Sequence, residues 1–299
     1  EFRRVLFRSI LIHGDYDVDG VSAAALLHRA LTALGAETEV HLPHRLGEGY
    51  GLGRQAIEKA AAEGISLIIT ADCGSGSPEE VAYAVSLGLK VVITDHHRLA
   101  APSEASREKV PEVNPCRPDS AYPFSELSGV GVAFKFIEAL AARKNLPPKA
   151  HWRFLDLVAL GTVADVSPLI GENRALVKQG LNLIGNSQKL GISALLRAAG
   201  VSAPVSSRQV AFMLAPRLNA AGRIAHAEES FRLLTTGNPT EAELLAGQLC
   251  RHNQARQSEE ARTLQEAKEM IERLGWQQDA ALMLAGEGWH PGVIGIVAS

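Results

Sequence analysis

Residues 13–20 read HGDYDVDG, and this stretch places His13, Asp15, Asp17 and Asp19 at every second position. The order D-x-D-x-D-G also opens the calcium-binding loop of an EF-hand. Counted from Asp15, however, the last position of such a loop is Leu26, where a bidentate glutamate is required. An apolar run rather than a helix precedes the stretch. The sequence therefore excludes an EF-hand, and further ligands for a cation must come from other parts of the chain.

Three apolar runs along the chain each close on polar residues. They are ILIH at 10–13, SLIITADCG at 66–74 and KVVITDHH at 90–97. Runs of this kind are typical of strands that are buried on both faces. Segments with helical patterns follow them at 21–35, 53–64 and 77–88. Alternating strands and helices predict an α/β fold with a parallel, helix-covered sheet, in which ligands collect at the carboxyl ends of the strands.

The remainder of the chain is mostly helical in pattern. We predict a proline-rich loop at 98–128, a helix from 128, an apolar helix at 151–169 that turns at Asp165, and further helices over 174–236. A capping box of Thr240 with Glu243 and a terminal Gly275 predict one long helix. Its middle is polar all round, which is typical of a helix that crosses solvent between domains. The run AALMLAG at 280–286 predicts a new strand.

These patterns divide the chain into four segments. We interpret residues 1–9 as a non-native segment, because VLFRS is also the translation of the adapter sequence GTGCTCTTCCGATCT; the alternative is a native basic strand. Residues 10–200 are predicted to form the domain that contains the sheet, and residues 201–275 a helical region with the long inter-domain helix. Residues 276–299 are interpreted as the beginning of a second α/β domain, truncated inside the apolar run GVIGIVAS.

The bulk composition narrows the class of protein. The chain has 299 residues, of which 46% are hydrophobic and 21% charged, as in ordinary globular proteins. A net charge of −3 provides no overall basic field, so a nucleic acid would have to bind through a local patch or through cations. Three scattered cysteines predict neither disulfides nor a zinc site. We see neither a membrane span nor a signal peptide, and we expect a cytoplasmic protein.

The polar residues at the strand ends together form a candidate metal site. A lone D-x-D or His-His is usually a solvated turn, but three such clusters after three consecutive strands favour a functional site. Carboxylates about 4 Å apart repel by about 4 kcal/mol at an effective dielectric near 20, so several of them require cations. Carboxylate and imidazole ligands without thiolate favour two Mn²⁺ or Mg²⁺ ions. The pooled residues are His13, Asp15, Asp17, Asp19, Asp72, Asp95, His96, His97 and Asp165.

The spacing of these residues suggests separate roles. On an extended segment alternate residues face the same way, so the four polar residues of HGDYDVDG can share one face. By the same rule His96 and His97 point in opposite directions. We therefore predict that His96 meets the metals, that His97 is free to contact a substrate oxygen, and that Asp95 orients its neighbours.

Four short motifs, DYDVDG, ADCG, DHH and GTVADV, resemble those of the DHH phosphoesterases. The resemblance implies a two-metal phosphodiesterase in which Asp72 bridges the metals. Asp15 either binds a metal directly or contacts the residues that do. The hypothesis for the reaction is in-line attack by a hydroxide between the cations, with Asp72, His97 and Asp95 as catalytic residues. The ligand roles that the resemblance implies fall on His13, Asp17, Asp19, Asp72, His96 and Asp165.

Longer stretches at 43–52, 113–135, 216–224 and 288–299 narrow the resemblance to those family members that degrade single-stranded DNA from its 5′ end. This implies release of 5′-mononucleotides in DNA repair and recombination, and it identifies residues 276–299 as the start of a DHHA1-type substrate-binding domain. The glycine-rich motif expected late in that domain is absent. Arg45 is the candidate for binding the 5′-phosphate, and Tyr50 either stacks on a base or packs its loop. The candidate substrate-binding residues are Arg45, Arg217, Asn219, Arg223 and His290, although each arginine could instead form a surface ion pair.

Other functions remain as alternatives. One is a DHH phosphodiesterase that acts on short oligonucleotides or cyclic dinucleotides, or a pyrophosphatase. Another is a non-catalytic binding module that keeps the fold, against which the complete ligand set argues. The predicted partner is single-stranded DNA with a 5′ end. Binding of a helicase or a single-strand-binding protein is possible for such an enzyme but cannot be read from the sequence.

Overall fold

The computed structural model describes residues 9–45, 47–98 and 110–299. Its centre is a five-stranded sheet formed by β1 (Ser9–Gly14), β2 (Glu37–His41), β3 (Leu67–Ala71), β4 (Lys90–Thr94) and β5 (Glu112–Val113). The strand order is β2-β1-β3-β4-β5, and every neighbouring pair is parallel. The predicted α/β fold with a parallel, helix-covered sheet is confirmed. The interpretation of residues 1–9 as non-native falls, apart from Ser9, outside the described residues.

Alternate side chains of the central strands pack on opposite faces of the sheet. Ile12 of β1 and Ile69 of β3 belong to one apolar core, whereas their neighbours Leu11 and Ile68 belong to a second. Because both faces are covered, continuous apolar runs are enough to predict β1, β3 and β4. The edge strand β2 was not predicted, since its sequence ETEVH is mostly polar and only partly buried.

Helices of the first half of the chain cover the two faces of the sheet. They are α1 (Val18–Ala33), α2 (Arg54–Ala62), α3 (Pro78–Ser86), α4 (Gly129–Arg143) and α5 (Leu155–Ala164). Helices α1, α4 and α5 pack in the core of Ile12, while α2 and α3 pack in the core of Leu11. The predicted helix at 151–169 starts as a 3₁₀ turn and ends at Ala164.

Helices of the second half extend the core of Ile12. This core includes Leu195, Leu233 and Leu249, so it continues past the predicted boundary at residue 200. A π-helical turn at Val210–Leu214 leads into the helix that begins at Ala215. The boundaries at 200 and 275 stay predictions. The helices are α6 (Gly171–Gly185), α7 (Leu190–Ala199), α8 (Ser207–Gln209), α9 (Ala215–Ile224), α10 (Glu228–Thr235), α11 (Pro239–Leu274) and α12 (Pro291–Val297).

The long helix α11 has 36 residues and is unbroken, as predicted, and it ends at Gly275 in the left-handed conformation. The predicted capping box of Thr240 with Glu243 is wrong. Asn238 caps the helix instead, and its side-chain oxygen accepts from the amides of Thr240 and Glu241 at 2.9 and 3.2 Å. Pro239 occupies the first helical position, where its missing N–H has no cost.

Two further expectations need correction. The run at 280–286 is not a strand, because no strand in the described ranges lies beside it to pair with its backbone, and Met283 within it is 91% exposed. The predicted loop at 98–128 lies partly at 99–109, outside the described residues, and its later part contains β5. Within the described residues, none of the helices combines the length and apolarity that crossing a membrane requires.

Candidate metal centre

Residues that follow β1, β3 and β4 meet at one edge of the sheet, because the carboxyl ends of neighbouring parallel strands lie side by side. Among the described residues, ligand atoms within 4.8 Å of one another form three sets. Asp72 belongs to two of the sets, and so does His96. Seven predicted site residues thus come together around two shared side chains. The sets are Asp72, His96 and His97; Asp19, His96 and Asp165; and Asp15, Asp17 and Asp72.

The aspartates of HGDYDVDG are gathered by a helix start rather than by a strand. Because β1 ends at Gly14, the predicted sharing of one strand face by these residues is wrong. Asp17 caps α1 and accepts from the amides of Asp19 and Gly20 at 2.9 and 3.0 Å. Asp19 accepts from the amides at the start of α4, at 2.6 Å from Gly129 and 3.0 Å from Val130. Helix N-termini are favourable places for such carboxylates.

Two glycines let helices approach the carboxylates closely. A Cβ atom on Gly129 would lie 2.2 Å from Oδ1 of Asp72, and one on Gly161 would lie 2.5 Å from Oδ1 of Asp19. Asp72 itself has a φ of 66°, which is unusual for a residue other than glycine. Its amide donates to the carbonyl oxygen of Thr94 at 3.0 Å, which holds this conformation in place.

The electrostatics of the site are unfavourable without added positive charge. Burial raises the pKa of Asp72 and of Asp19 well above the usual range, and nearby carboxylates add to the effect. Burial and then the charge of Asp17 raise the pKa of Asp15 to about 7. Burial also raises the pKa of Asp17, and Asp165 contributes. These carboxylates can therefore all ionise near neutral pH only beside cations.

Two buried atoms at the centre of the site have no hydrogen-bond partner within the described part of the chain. They are Oδ1 of Asp72 and Nε2 of His96, which lie 3.1 Å apart without forming a hydrogen bond. Burial lowers the pKa of His96, so the ring is neutral and can offer a lone pair. Carboxylate oxygens and imidazole nitrogens are ligands that suit Mn²⁺ or Mg²⁺. The residues present thus fit divalent cations.

His97 lies beside His96 instead of facing away from it. The two rings have centroids 4.6 Å apart, so the prediction of opposite orientations is wrong. The reason is that β4 ends at Thr94, before the alternation of a strand could reach them. Nδ1 of His97 lies 2.7 Å from Oδ1 of Asp95, and this hydrogen bond raises the pKa of His97. Burial would raise the pKa of Asp95, but the bond with His97 lowers it overall.

His13 belongs to none of the three sets. Its Nε2 lies 2.9 Å from the carbonyl oxygen of Gly51, and its ring stacks on that of His41 at 5.2 Å. Burial lowers the pKa of His13 to about 4. Its Nδ1 is buried and finds no hydrogen-bond partner in the ranges that the structure describes. The role of His13 as a metal ligand therefore stays a prediction.

A cleft of about 330 Å³ adjoins the metal centre and contains three of the predicted substrate-binding residues. Arg45 and Arg223 line it together with Asp15, Asp17 and Asp165. The Arg45 guanidinium lies 5.1 Å above the ring of Tyr16. Burial, followed by repulsion from Arg45, lowers the pKa of Arg223. Two guanidinium groups so close together favour an anion between them.

Asn219 also lines the cleft, and its side-chain oxygen accepts from the Val18 amide at 3.1 Å.

The other two predicted substrate-binding residues do not line this cleft. Arg217 donates to the carbonyl oxygen of Met213, and its Nε lies 3.3 Å from Sγ of Cys250. It is six residues from Arg223 on α9, which places the two side chains on different faces of the helix. His290 caps α12, where its Nδ1 accepts from the amide of Gly292 at 3.0 Å.

Two residues of the site were not identified from the sequence. Tyr16 lies under Arg45, and its position inside HGDYDVDG is a signal that could have revealed it. Ser75 donates its amide to Oδ2 of Asp95 at 2.9 Å. A serine after a glycine is typical of any turn, so the sequence offers no signal for Ser75.

Comparison with known proteins matches residues 9–162 to the DHH family, N-terminal domain. The chain is 41% identical over 291 residues to the single-stranded-DNA-specific exonuclease RecJ of Bacillus subtilis, covering 97% of this chain and 36% of that protein. It is also 41% identical to the RecJ of Thermus thermophilus, covering 98% of this chain and 42% of the relative. The chain thus spans less than half the length of either relative.

Solved structures agree with the sequence comparison. A crystal structure of exonuclease RecJ bound to manganese superposes with a TM-score of 0.83 at 40% identity, covering 97% of this chain and 71% of that one. The Mn²⁺ complex of RecJ from Thermus thermophilus gives a TM-score of 0.81 at 37% identity, covering 99% of this chain and 42% of the other. The resemblance predicted from the motifs is confirmed.

Proposed function

The chain belongs to the DHH family, and we propose that it hydrolyses phosphodiester bonds of single-stranded DNA from a 5′ end, releasing 5′-mononucleotides. Its relatives are single-stranded-DNA-specific exonucleases, which supports this choice of substrate. We place the activity in DNA repair and recombination and in the cytoplasm.

One observation supports the proposal most directly, namely that Asp72 and His96 each belong to two of the three sets of ligand atoms. Such sharing is what a pair of neighbouring cations requires, and RecJ structures contain Mn²⁺ or Mg²⁺. Two such cations would lower the pKa of a water molecule and neutralise charge on the phosphoryl oxygens. The proposed ligands are Asp15, Asp17, Asp19, Asp72, His96 and Asp165, and His13 is left out because it lies in none of the sets.

The residues around the cations have distinct proposed roles. Asp72 would hold both cations, since it belongs to two of the three sets of ligand atoms. The hydrogen bond with Asp95 raises the pKa of His97, which favours a ring with protons on both nitrogens. Its Nδ1 donates to Asp95, and its Nε2, which lies 3.4 Å from the hydroxyl oxygen of Tyr50, donates to a non-bridging oxygen of the substrate. The Asp95–His97 pair thereby orients the phosphodiester for in-line attack.

Arg45 is proposed to bind the 5′-phosphate, with Arg223 and Asn219 holding the next part of the DNA backbone. Arg45→Ala should lower kcat/KM on 5′-phosphorylated DNA roughly tenfold, while leaving DNA with a 5′-hydroxyl unaffected, because only the phosphate loses a charged partner. Parallel assays of the two substrates measure this difference. Arg54→Ala is a matched control, since Arg54 also covers a tyrosine ring but lies outside the cleft. Equal effects of both variants would contradict the pocket.

Release of mononucleotides from 5′-phosphorylated single-stranded DNA in the presence of Mn²⁺ tests the proposed function. Duplex DNA, pApA and pyrophosphate serve as competing substrates. Preference for single-stranded DNA supports the proposal. Faster hydrolysis of pApA would support the alternative, a DHH phosphodiesterase for short oligonucleotides or cyclic dinucleotides. Binding of DNA without hydrolysis would indicate a non-catalytic module.

The division into domains is also a proposal. Residues 10–200 are assigned to the DHH phosphoesterase domain, which the family match at 9–162 supports. Residues 201–275 form the helical region that ends with α11. Residues 276–299 are assigned to the beginning of a DHHA1-type substrate-binding domain.

A further inference from the structure

The ring of His97 contacts Tyr50, His96 and Asp95, yet it remains partly open to solvent. Its side chain is 45% exposed, compared with 15% for His96. Residues 95–98 lie beyond the end of β4, so the sheet does not fix the backbone at His97. Because the sheet does not hold His97, the positions of its backbone and of its ring depend on contacts with other side chains.

Asn114 holds the backbone of His97. The amide nitrogen of its side chain donates to the carbonyl oxygen of His97 and to Oγ of Ser75, both at 3.0 Å. Its side-chain oxygen accepts from the amide of Cys116 at 2.8 Å. The residue is only 4% exposed and uses both its donor and its acceptor groups. A buried amide with this many partners has one allowed position.

Ser75 connects Asn114 to the other anchor of His97. Its amide donates to Oδ2 of Asp95 at 2.9 Å, and its hydroxyl donates to Glu112 at 2.7 Å. Oδ1 of Asp95 in turn holds Nδ1 of the His97 ring at 2.7 Å. These contacts form a closed network. Asn114 binds the backbone of His97, and the imidazole of His97 binds Asp95. Asp95 binds Ser75, which in turn binds Asn114.

We infer that Asn114 is a positioning residue for His97 and that Ser75 assists it. Asn114 does not reach the substrate position and acts through the carbonyl oxygen of His97 and through Ser75. A purely structural role, in which Asn114 shapes the turn after β5, would need only its bond to Cys116. The two bonds from the side-chain nitrogen extend towards the site instead. This inference rests on the proposed function, because that function gives His97 its task.

A double-mutant cycle tests the inference. Asn114→Ala should lower kcat roughly tenfold, with KM and the Mn²⁺ affinity from calorimetry unchanged, because a displaced His97 still leaves the metal ligands in place. In the His97→Ala background the same change should cause no further loss. Asn253→Ala removes another buried amide, on α11, and should have the same small effect in both backgrounds. An equal factor for Asn114→Ala in both backgrounds would overturn the inference.

A second measurement does not depend on catalysis. The proton on Nδ1 of His97 should give a downfield resonance in the NMR spectrum, assigned by its absence from His97→Ala. Asn114→Ala should broaden or shift this resonance. Ser75→Ala should do the same, although it keeps the hydrogen bond from the backbone amide of residue 75 to Asp95. This second variant replaces the first if Asn114→Ala does not fold. An unchanged resonance overturns the inference. If Asn114→Ala changes this resonance but the parent protein does not hydrolyse DNA, the positioning role of Asn114 is supported and the proposed function is overturned.

Discussion

Asp72 combines three properties that each disfavour a charged side chain in a folded protein. It is 1% exposed, its backbone is left-handed with a φ of 66°, and burial followed by the charges of Asp19, Asp17 and Asp15 raises its pKa. Strain of this kind persists where the surrounding structure enforces it, and it is concentrated at functional sites. Asp72 should therefore lower stability while it supports function.

Replacing Asp72 by Asn separates these two effects. Asparagine tolerates the left-handed backbone and removes the repelling charge, so the unfolding free energy in EDTA should rise by roughly 1 kcal/mol. Hydrolysis of single-stranded DNA should fall at least about 100-fold, because the carboxylate proposed to bridge the cations is lost. Urea unfolding and a nuclease assay measure the two quantities. Asp279→Asn, at an exposed position, should change neither. Near-parental hydrolysis by Asp72→Asn would remove Asp72 from the bridging role.

Individual residues of the site were only partly predictable. Asp72 and His96 could be identified because they follow apolar strands, and parallel strands end at a common edge. The orientation of His97 could not, because it depends on where β4 stops and on Asn114, which is distant in the sequence. His13 was grouped with the ligands by its spacing, yet its Nε2 faces the carbonyl oxygen of Gly51.

Among the elements, the start of α4 packs tightly against the metal centre. A Cβ atom at Gly129 would lie 2.2 Å from Oδ1 of Asp72. Gly129→Ala should therefore displace Asp72 and abolish both hydrolysis and stabilisation by Mn²⁺, with a loss of about 1–3 kcal/mol of unfolding free energy from overpacking. Thermal unfolding with Mn²⁺ and with EDTA measures the effect.

Gly131→Ala is the control for this prediction. A Cβ atom there would meet the flexible end of Leu127 at 3.3 Å, which can move slightly. This variant should keep Mn²⁺ binding and activity. Loss of Mn²⁺ binding in both variants would show that any substitution at the start of α4 disrupts the site, and the steric argument for Gly129 would fail.

The long helix α11 allows a test of which residue caps it. Asn238→Ala should lower the unfolding free energy by about 1 kcal/mol, since the amides of Thr240 and Glu241 would lose their acceptor. Thr240→Ala should change it by less than about 0.5 kcal/mol, because the predicted capping box is not formed. Urea unfolding curves of the two variants measure the difference. A larger loss of unfolding free energy from Thr240→Ala than from Asn238→Ala would show that the capping box forms.

The strands that the sequence identified correctly are those buried on both faces. β1, β3 and β4 are covered on both faces, and their apolar runs were sufficient to identify them. β2 lies at the edge of the sheet with a mostly polar sequence, so it lacks that signal. The apolar run at 280–286 resembled a strand, but its exposed residues have no neighbouring strand among the described elements. Local pattern alone cannot supply a pairing partner.

For the whole molecule, one apolar core connects the metal centre with the cleft. This core includes Ile12 from the sheet, Leu160 of α5, Leu218 of α9 and Leu249 of α11. It thus fixes Asn219 beside the amide of Val18, although 201 residues separate them in the sequence. Contacts over such separations have no local signature, which is why Arg217 and Arg223 could not be told apart before the fold was known.

The charge of the metal centre should also control the stability of the entire chain. Burial raises the pKa of Asp15 to about 7, compared with about 4 in an unfolded chain. A raised pKa in the folded state gives stability that is present below the unfolded pKa and is lost as pH rises through the folded value. Burial lowers the pKa of His13 to about 4, which acts in the opposite direction but mainly below about pH 6.5. In EDTA the unfolding free energy should therefore fall by about 1 kcal/mol between pH 6.5 and 8.

Mn²⁺ should reverse this dependence, because a cation binds the ionised carboxylates and competes with their protons. The stabilisation by Mn²⁺ should accordingly be larger at pH 8 than at pH 6.5. Asp15→Asn should flatten the dependence in EDTA, whereas Asp279→Asn should leave it unchanged, since Asp279 is exposed. Urea unfolding at both pH values, with EDTA and with Mn²⁺, measures these differences. If the unfolding free energy in EDTA rose with pH, or if Asp15→Asn kept the parental slope, the buried carboxylates could not be the charge that the cations neutralise.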